Sequence, residues 1–255
     1  MAKTEGTQAI GRATEILRVV ARIQRSGATL ATVCRATNLS RSTAFRILRS
    51  LTEERLLTFD VEEHRYYVGA LAFELGLAAQ GSARLMADWQ EPVERIAQRT
   101  GLTTYLVARS DSEVVCLATA QGSAVIRTVP VVVGQRLPLG VGAGSLAILS
   151  SLDDSEVSAI LTANTHKYAL HGGGRLTAAI LRKRIAFARE NGYAVSRDSV
   201  SMGVGGVGLV VSRPESFPQL AMSVSMPASQ LDNGEQARLA AMMREVVRSK
   251  ARGVP

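Results

Sequence analysis

The segment from Leu30 to Leu51 constrains the fold of this chain most, because it predicts two short helices around a tight turn. Four apolar side chains of the second helix follow the spacing of one helical face: Ala44, Ile47, Leu48 and Leu51. A second set repeats that spacing on the opposite side: Ser42, Phe45, Arg46 and Arg49. Ser40 is the expected N-cap of this helix. The pattern is typical of a helix-turn-helix that reads DNA, and an ordinary helical hairpin is the alternative for an isolated match.

The flanking residues favour the DNA-reading interpretation. Residues 8–24 predict another amphipathic helix, and beyond the helix pair two β-prone runs, LLTFD and RYYVG, enclose the polar stretch VEEH. Three helices and a hairpin predict a winged helix-turn-helix domain over residues 1–69, whose third helix enters the major groove. Because Glu62 and Glu63 make the wing tip acidic, Arg65 is the wing residue expected near phosphate. The full set of expected DNA contacts is Arg41, Ser42, Thr43, Phe45, Arg46, Arg49 and Arg65.

Composition agrees with a DNA-binding protein of two domains. Through Arg55 the chain carries ten Lys or Arg residues against four Asp or Glu residues, an excess that attracts phosphate. The 255 residues are 46% hydrophobic and 20% charged, which suits two globular domains. No apolar run approaches the ~20 residues of a membrane span, and no signal peptide is visible, so a cytoplasmic protein is expected. Two cysteines and three histidines show no disulfide or metal spacing, and no metal or cofactor is expected.

The remaining residues predict a linker helix and an α+β domain. Residues 70–86 form the expected linker helix, whose apolar side packs on its own chain or on a second copy. Residues 87–255 form the expected second domain, opened by a helix from Trp89 to Thr100. β-Prone runs cover residues 102–108, 113–120, 124–133, 192–195, 206–211 and 220–226, and helical patterns start near Ala143 and cover residues 153–163, 177–191 and 235–252. Helices packed against one antiparallel sheet define the α+β class.

Two glycine-rich stretches suggest a ligand site. The G-x-G-x-G run at residues 140–144 lacks the first strand, the further glycine and the acidic residue of a dinucleotide site. The helix start beside it favours a carboxylate, held by the backbone N–H groups near Ala143, Gly144 and Ser145. Four more glycines lie in residues 203–208, where close packing of strand on helix is the alternative explanation. No P-loop or serine hydrolase motif occurs.

Several segments in order resemble the IclR family of transcriptional regulators over nearly the whole chain. The first half contributes SRSTAFRILRSL, the hairpin ending in Tyr66-Tyr67-Val68-Gly69, and LAFELGLAAQ. The second half contributes RLPLGVGAGSLAIL, ENGYAVSRDSVSMGVGGVG and LAMSVSMP. The resemblance implies a GAF-like effector-binding half, a dimer contact through the linker helix, and a dimer of dimers on longer operators. The chain departs from the family at Arg55-Leu56, where a glycine usually leads into the wing.

The resemblance also implies where the effector lies. The polar groups implied there come from Ser196, Ser223 and Ser225, and the apolar walls from Val125 and Leu137. Family members often have an acidic residue at the position of Ser196 and a cysteine or polar residue near Gly206, so an effector larger or more hydrophobic than a two- or three-carbon acid is expected. The full set of expected effector contacts is Val125, Leu137, Gly142, Ala143, Gly144, Ser145, Ser196, Gly206, Ser223 and Ser225.

The sequence therefore predicts a ligand-responsive DNA-binding regulator of a catabolic operon, in which a small organic acid shifts operator affinity. No enzyme activity is expected, because the pocket segments lack a paired base and nucleophile, a carboxylate dyad or a metal set. Two alternatives remain. A DNA-tethered enzyme acting on a small carboxylate would form a new product, and an architectural DNA binder would show no thermal shift with any metabolite.

Overall fold

The structure is a computed structural model that describes residues 8–23, 26–78, 82–123, 131–211 and 219–251. The chain divides into two compact units, Met1–Leu85 and Met86–Pro255. Each unit has an apolar core of its own. Within the described ranges, no helix combines the length and the apolar character that crossing a membrane requires.

The first unit is a helix-turn-helix followed by a hairpin, as the sequence predicts. Its elements are α1 (Gln8–Arg22), α2 (Leu30–Thr37), α3 (Arg41–Glu53), β1 (Leu57–Asp60) and β2 (Arg65–Val68). The expected N-cap of α3 is present, because the Ser40 hydroxyl oxygen accepts a hydrogen bond from the Thr43 N–H at 3.3 Å. Ala44, Leu48 and Leu51 are buried in the core. The opposite face of α3 is therefore left in solvent.

The hairpin is attached to the helices by an extra backbone pairing. Ala28, in the loop between α1 and α2, exchanges hydrogen bonds with Tyr66 of β2 at 2.8 and 2.9 Å. Beside it, Gly27 has a φ of +67°, and a Cβ atom there would lie 2.6 Å from the Tyr67 ring. A glycine is required at this close approach. The wing is consequently held against the start of α2.

The helices at the boundary between the units differ from the sequence prediction. The sequence predicted one linker helix over residues 70–86 and a separate helix from Trp89 to Thr100. The structure instead has α4 at Ala70–Ala78 and α5 at Ser82–Thr100, and α5 runs without interruption through residues 86–89. No glycine or proline occurs in the first ten residues of α5, so nothing there ends a helix. Pro92 lies inside α5 rather than at its end.

The second unit is an α+β domain built around one six-stranded sheet. Its strands are β3 (Thr103–Ser110), β4 (Glu113–Ala120), β5 (Arg136–Pro138), β6 (Ala194–Arg197), β7 (Val204–Val210) and β8 (Leu220–Pro227). They lie in the order β5-β4-β3-β8-β7-β6, and every pairing is antiparallel. The predicted α+β class with an antiparallel sheet is confirmed.

The strand expected over residues 124–133 is not seen. Residues 124–130 lie outside the described residues, and residues 131–133 are not in a strand. A turn follows, in which the Gln135 N–H donates to the Val132 carbonyl at 2.9 Å and Gly134 has a φ of +83°. The valine-rich composition favours a strand, but residues 131–133 lead instead into this turn, whose Gly134 and Gln135 form backbone hydrogen bonds with Cys116 of β4 before β5 begins.

One helix of the second unit lies against the sheet and leads into the site. The helices are α6 (Ala143–Ser150), α7 (Asp154–Ala163), α8 (Thr165–Tyr168), α9 (Ala178–Asn191) and α10 (Asn233–Ala251). α6 contacts β3, β6, β7 and β8 on one side and α9 on another. Every residue from Ala143 to Leu149 is buried. The N-terminus of α6 therefore opens onto the face of the sheet.

Candidate DNA interface and effector cavity

The outward side of α3 presents most of the residues expected to meet DNA. Five of them are exposed: Arg41, Ser42, Phe45, Arg46 and Arg49. Thr43 is half-buried, and its hydroxyl oxygen accepts a hydrogen bond from the Ser40 hydroxyl at 2.9 Å. Thr43 thus takes part in capping α3.

The arginines of this side differ in their partners. The Arg49 Nε lies 2.8 Å from the Glu53 carboxylate, and both side chains are more than half exposed. Arg41 and Arg46 form no ion pair within the part of the chain that the structure describes. Arg49 must therefore give up its ion pair with Glu53 to contact a phosphate group, whereas Arg46 has no ion pair with a described residue to give up.

Arg65 has a structural role that the sequence did not reveal. Its guanidinium group donates hydrogen bonds to the Ser26 carbonyl at 2.7 Å and to the Gly27 carbonyl at 3.3 Å, and it lies 3.7 Å from the Glu63 carboxylate. Only about a third of the side chain is exposed. Arg65 therefore holds β2 against the loop before α2, and it is not a free cation on the wing.

Nine of the ten expected effector residues line one cavity in the second unit: Leu137, Gly142, Ala143, Gly144, Ser145, Ser196, Gly206, Ser223 and Ser225. The tenth, Val125, lies outside the described residues. The cavity has a volume of about 70 Å³, counted as the space open to the centre of a water-sized sphere. On the same measure, one water molecule needs ~10 to 15 Å³. The cavity therefore has room for a compact ligand.

α6 begins at this cavity without a side-chain cap. Gly142, its N-cap residue, has a φ of +87° and supplies no side-chain hydrogen bond. The first N–H groups of a helix have no acceptor within the helix and carry partial positive charge. Because Ala143, Gly144 and Ser145 line the cavity, these donors suit an anionic group bound there.

The Ser145 hydroxyl positions the loop that precedes α6. It donates to the Pro138 carbonyl at 3.2 Å and accepts from the Gly140 N–H at 2.9 Å. The Tyr168 hydroxyl holds the same loop by donating to the Leu139 carbonyl at 2.7 Å. Ser145 therefore offers its backbone N–H to the cavity, while its hydroxyl is already engaged.

The glycines of β7 pack the strand closely against its neighbours. A Cβ atom at Gly208 would lie 2.3 Å from the Ala143 carbonyl oxygen, and a Cβ at Gly206 would lie 2.4 Å from the Val224 carbonyl oxygen. Both distances are far below a normal contact, and both involve backbone atoms. A larger side chain at Gly206 would disturb the sheet before it filled the cavity, so this glycine serves packing as well as lining the cavity.

Polar side chains on one face of the sheet point into the cavity. In the sheet, Ser223 pairs with Tyr105, and Gly206 pairs with both Ser225 and Ser196. The hydroxyls of Ser196, Ser223 and Tyr105 form no hydrogen bond with another of the described residues. These three groups can therefore bond to a ligand or to water.

Sequence reasoning missed Tyr105. It lies in an apolar strand, where an aromatic residue most often belongs to a core, and only the pairing with Ser223 shows that it faces the cavity. Besides the serines and Tyr105, the described side chains of the wall are apolar: Val107, Val114, Val131, Leu137, Val141, Ala143, Val200, Val204 and Val224. No described residue of the wall is an acid, a histidine, a lysine or an arginine.

The described residues offer no catalytic or metal-binding arrangement at the cavity. No group of three or more His, Cys, Asp or Glu residues with the geometry of a metal site occurs among them. Cys116 is buried, and burial raises the pKa of its thiol to about 12, so it stays protonated at neutral pH. The cavity wall has the chemistry to bind a compact ligand with an anionic head and an apolar body.

The fold and the two sites define a class of protein, a transcriptional regulator with one unit for DNA and one for a ligand. The IclR helix-turn-helix domain matches residues 9–61, and the C-terminal domain of bacterial IclR transcriptional regulators matches residues 78–252. The second match alone covers more than half of the chain. The protein belongs to the IclR family, as the sequence predicted.

Individual relatives agree with this assignment. The chain is similar to the acetate operon repressor of Salmonella typhimurium, at 24% identity over 245 residues, covering 94% of this chain and 87% of the repressor. An IclR regulator structure from a Silicibacter species superposes with a TM-score of 0.80, at 19% identity, covering 97% and 98% of the two chains. An IclR homologue from Microbacterium hydrocarbonoxydans, complexed with 4-hydroxybenzoate, gives a TM-score of 0.72, at 20% identity, covering 96% and 100%. The prediction of a DNA-binding regulator with an effector-binding domain is confirmed.

Proposed function

We propose that this protein is a cytoplasmic, homodimeric regulator whose α3 helices read an operator and whose cavity binds a compact carboxylate with an apolar body. The observation that carries the effector class is the uncapped N-terminus of α6, which opens into a largely apolar cavity that has a few hydroxyl groups and no charged side chain among its described residues. Burying an ionised group without partners is costly. The backbone N–H groups of α6, with the Ser196, Ser223 and Tyr105 hydroxyls, supply partners that a carboxylate accepts.

The surface of α4 supports association with a second copy. α4 has no buried residue, and Phe73, Leu75 and Leu77 are all more than half exposed. Such a group of large apolar side chains is typical of an interface. A dimer presents two recognition helices, which favours a partly palindromic operator with half-sites about 10 bp or a multiple apart. A dimer of dimers forms on longer operators. A monomer in sedimentation that footprints one short asymmetric site would contradict this arrangement.

The DNA assignment is tested by operator affinity as a function of salt. Arg46→Ala is expected to weaken binding more than Arg49→Ala, because only Arg49 has an acidic partner to release. Loss of a phosphate contact lowers affinity for all duplexes and reduces the salt slope by about one, whereas loss of a base contact costs about 1 to 3 kcal/mol on the operator alone. Arg238→Ala, in the second unit, is the control. Unchanged operator affinity in the double variant of Arg46 and Arg49 overturns the assignment.

The effector class is tested by thermal shift with acids and their matched carboxamides. The panel contains acetate, longer aliphatic acids and 4-hydroxybenzoate, because the Microbacterium homologue is complexed with the last of these. Acids are expected to stabilise the protein and to change its operator affinity, and the neutral carboxamides are not. Stabilisation by the carboxamides alone overturns the carboxylate proposal. A new product during incubation favours the enzyme alternative, whereas recovery of the unchanged acid excludes turnover.

A further inference from the structure

The reading side of α3 carries one large apolar side chain among polar ones. Phe45 is the fifth residue of α3, and 51% of its surface is exposed. Ser42 lies one turn before it, Arg49 one turn after it, and Arg46 next to it. The aromatic cluster of the same unit, formed by Phe59, His64 and Tyr66, lies in the wing and does not include Phe45. The Phe45 ring is therefore not part of an aromatic core.

The major groove offers one kind of apolar group to such a ring. Base edges there present hydrogen-bond donors and acceptors, and thymine alone adds a C5 methyl group. The N-terminal residues of a recognition helix are those that meet base edges. The orientation of α3 is fixed by its cap at Ser40 and by the burial of Ala44 and Leu48 on its inner side. The ring of Phe45 is consequently presented to the groove together with the Arg46 guanidinium group.

We propose that Phe45 recognises a thymine methyl group and so selects a T·A pair at one position of each operator half-site. The inference rests on the proposed function, because it assigns a base preference to the same DNA interface. The ring excludes water from the methyl group, and a cytosine at that position leaves the ring without its apolar contact. Arg46 and Arg49 then supply polar contacts on either side of this apolar one.

The experiment uses the full chain and an operator selected from random duplexes. Each thymine of that operator is replaced, one at a time, by deoxyuridine, which removes only the methyl group, and affinity is measured by fluorescence anisotropy. At one thymine in each half-site, removal of the methyl group is expected to lower the affinity of the protein for the operator three- to fivefold. This factor corresponds to the burial of one methyl group, at about 0.8 kcal/mol. Other thymines are expected to change less than twofold.

Variants of Phe45 assign the effect to this side chain. Phe45→Ala is expected to bind the thymine and deoxyuridine operators equally, and Phe45→Leu, which keeps an apolar group, retains part of the difference. Ile10→Ala removes another exposed apolar side chain of the same unit, 68% exposed on α1, and is the matched control that keeps the full difference. At the same position, 5-methylcytosine is expected to bind the parent protein more tightly than cytosine, and Phe45→Ala is expected to abolish that gain.

Each outcome is decisive. A parent protein insensitive to deoxyuridine at every position overturns the inference, as does a Phe45→Ala variant that keeps the methyl preference. A third outcome is that Phe45→Ala lowers affinity equally for the operator and for random duplexes while keeping the difference between thymine and deoxyuridine. That result assigns Phe45 to another contact and also overturns the inference. A parent protein that selects no duplex at all contradicts the proposed function itself, which distinguishes the two failures.

Discussion

α3 and α6 both begin at a candidate site, yet they begin differently. The N-terminus of α3 is closed by the Ser40 side chain, which accepts the Thr43 N–H. The N-terminus of α6 starts at Gly142, which has no side chain to offer. The outward residues of α3 are exposed, whereas all residues from Ala143 to Leu149 are buried. The exposed side of α3 therefore offers mainly side chains, and its cap occupies one backbone N–H group, whereas the uncapped start of α6 offers its backbone N–H groups to the cavity.

This difference predicts opposite sensitivities to substitution. Outward side chains of α3 can be changed with little effect on folding, because they contact few other residues. The start of α6 cannot be changed freely, since β7 lies against its backbone at Gly208. DNA binding should therefore be altered by surface variants that leave the fold intact. Effector binding should be lost in variants that disturb the packing of β7 against the start of α6.

The largest expected effect is that of Gly208→Ala. Its Cβ atom would lie 2.3 Å from the Ala143 carbonyl oxygen, so the start of α6 must shift. Overpacking of this kind costs about 1 to 3 kcal/mol in the free energy of unfolding, and effector binding is expected to disappear. The measurement is the rate at which N-ethylmaleimide labels buried Cys116, which should rise while labelling of Cys34 in the first unit stays unchanged.

Gly11→Ala is the control for that variant. Gly11 lies in α1, and a Cβ atom there meets nothing within 4 Å. The substitution is expected to stabilise the first unit by about 0.5 to 1 kcal/mol, because alanine loses less conformational freedom in a helix. If Gly208→Ala leaves both Cys116 labelling and effector affinity unchanged, the strand does not fix the start of α6.

Ser223→Ala is expected to weaken the effector by about tenfold. It removes one hydrogen bond to a charged group, worth about 1.5 kcal/mol, and the hydroxyl has no other partner among the described residues. Calorimetry measures the loss, and operator affinity without effector should not change. Ser158→Ala, at a partly exposed serine of α7 that does not line the cavity, serves as the control. Full effector affinity in Ser223→Ala would leave the backbone of α6 as the main determinant.

Ser40→Ala should reduce the stability of the first unit by about 1 kcal/mol, the usual effect of losing an N-cap. Faster maleimide labelling of Cys34, with that of Cys116 unchanged, reports this effect in the intact chain. Ser50→Ala removes an exposed hydroxyl of the same helix and leaves the cap in place. A Ser40→Ala protein as stable as the parent would show that the closed N-terminus of α3 contributes nothing.

Local signals made α3 predictable. Its apolar spacing and its cap are encoded within one short segment, and both are seen at Ser40, Ala44 and Leu48. The backbone donors at Ala143, Gly144 and Ser145 were expected from the glycine-rich start of a helix, which is also a local signal. Leu137, Ser196, Ser223 and Ser225 were expected from the family resemblance, which carries information about residues distant in sequence. The family pattern also explains the backbone at Arg55. Its φ of +59° lies in the left-handed region that glycine adopts most easily, and family members usually have glycine there.

Features that depend on tertiary contacts were missed. The Arg65 hydrogen bonds join residues 39 and 38 positions apart, and no local pattern indicates them. Tyr105 faces the cavity because of the register of β3 with β8, which the strand's own composition does not reveal. The separate helix start predicted at Trp89 was wrong, because α5 already begins at Ser82, and neither glycine nor proline occurs in its first ten residues.

The smallest expected effect concerns the ion pair on the reading side of α3. Glu53→Gln removes the carboxylate that holds Arg49 at 2.8 Å. Exposed pairs of this kind contribute about 0.2 to 1 kcal/mol, so operator affinity is expected to rise by up to about fivefold, and the rise should shrink at high salt because exposed charges are screened. Glu15→Gln, which removes an exposed carboxylate of α1, separates this effect from a change in net charge. The gain should also vanish when Arg49 is alanine, since no guanidinium group is then released. A gain that persists without Arg49 would assign it to the lost negative charge, and α3 would then act on DNA through its general charge rather than through this side chain.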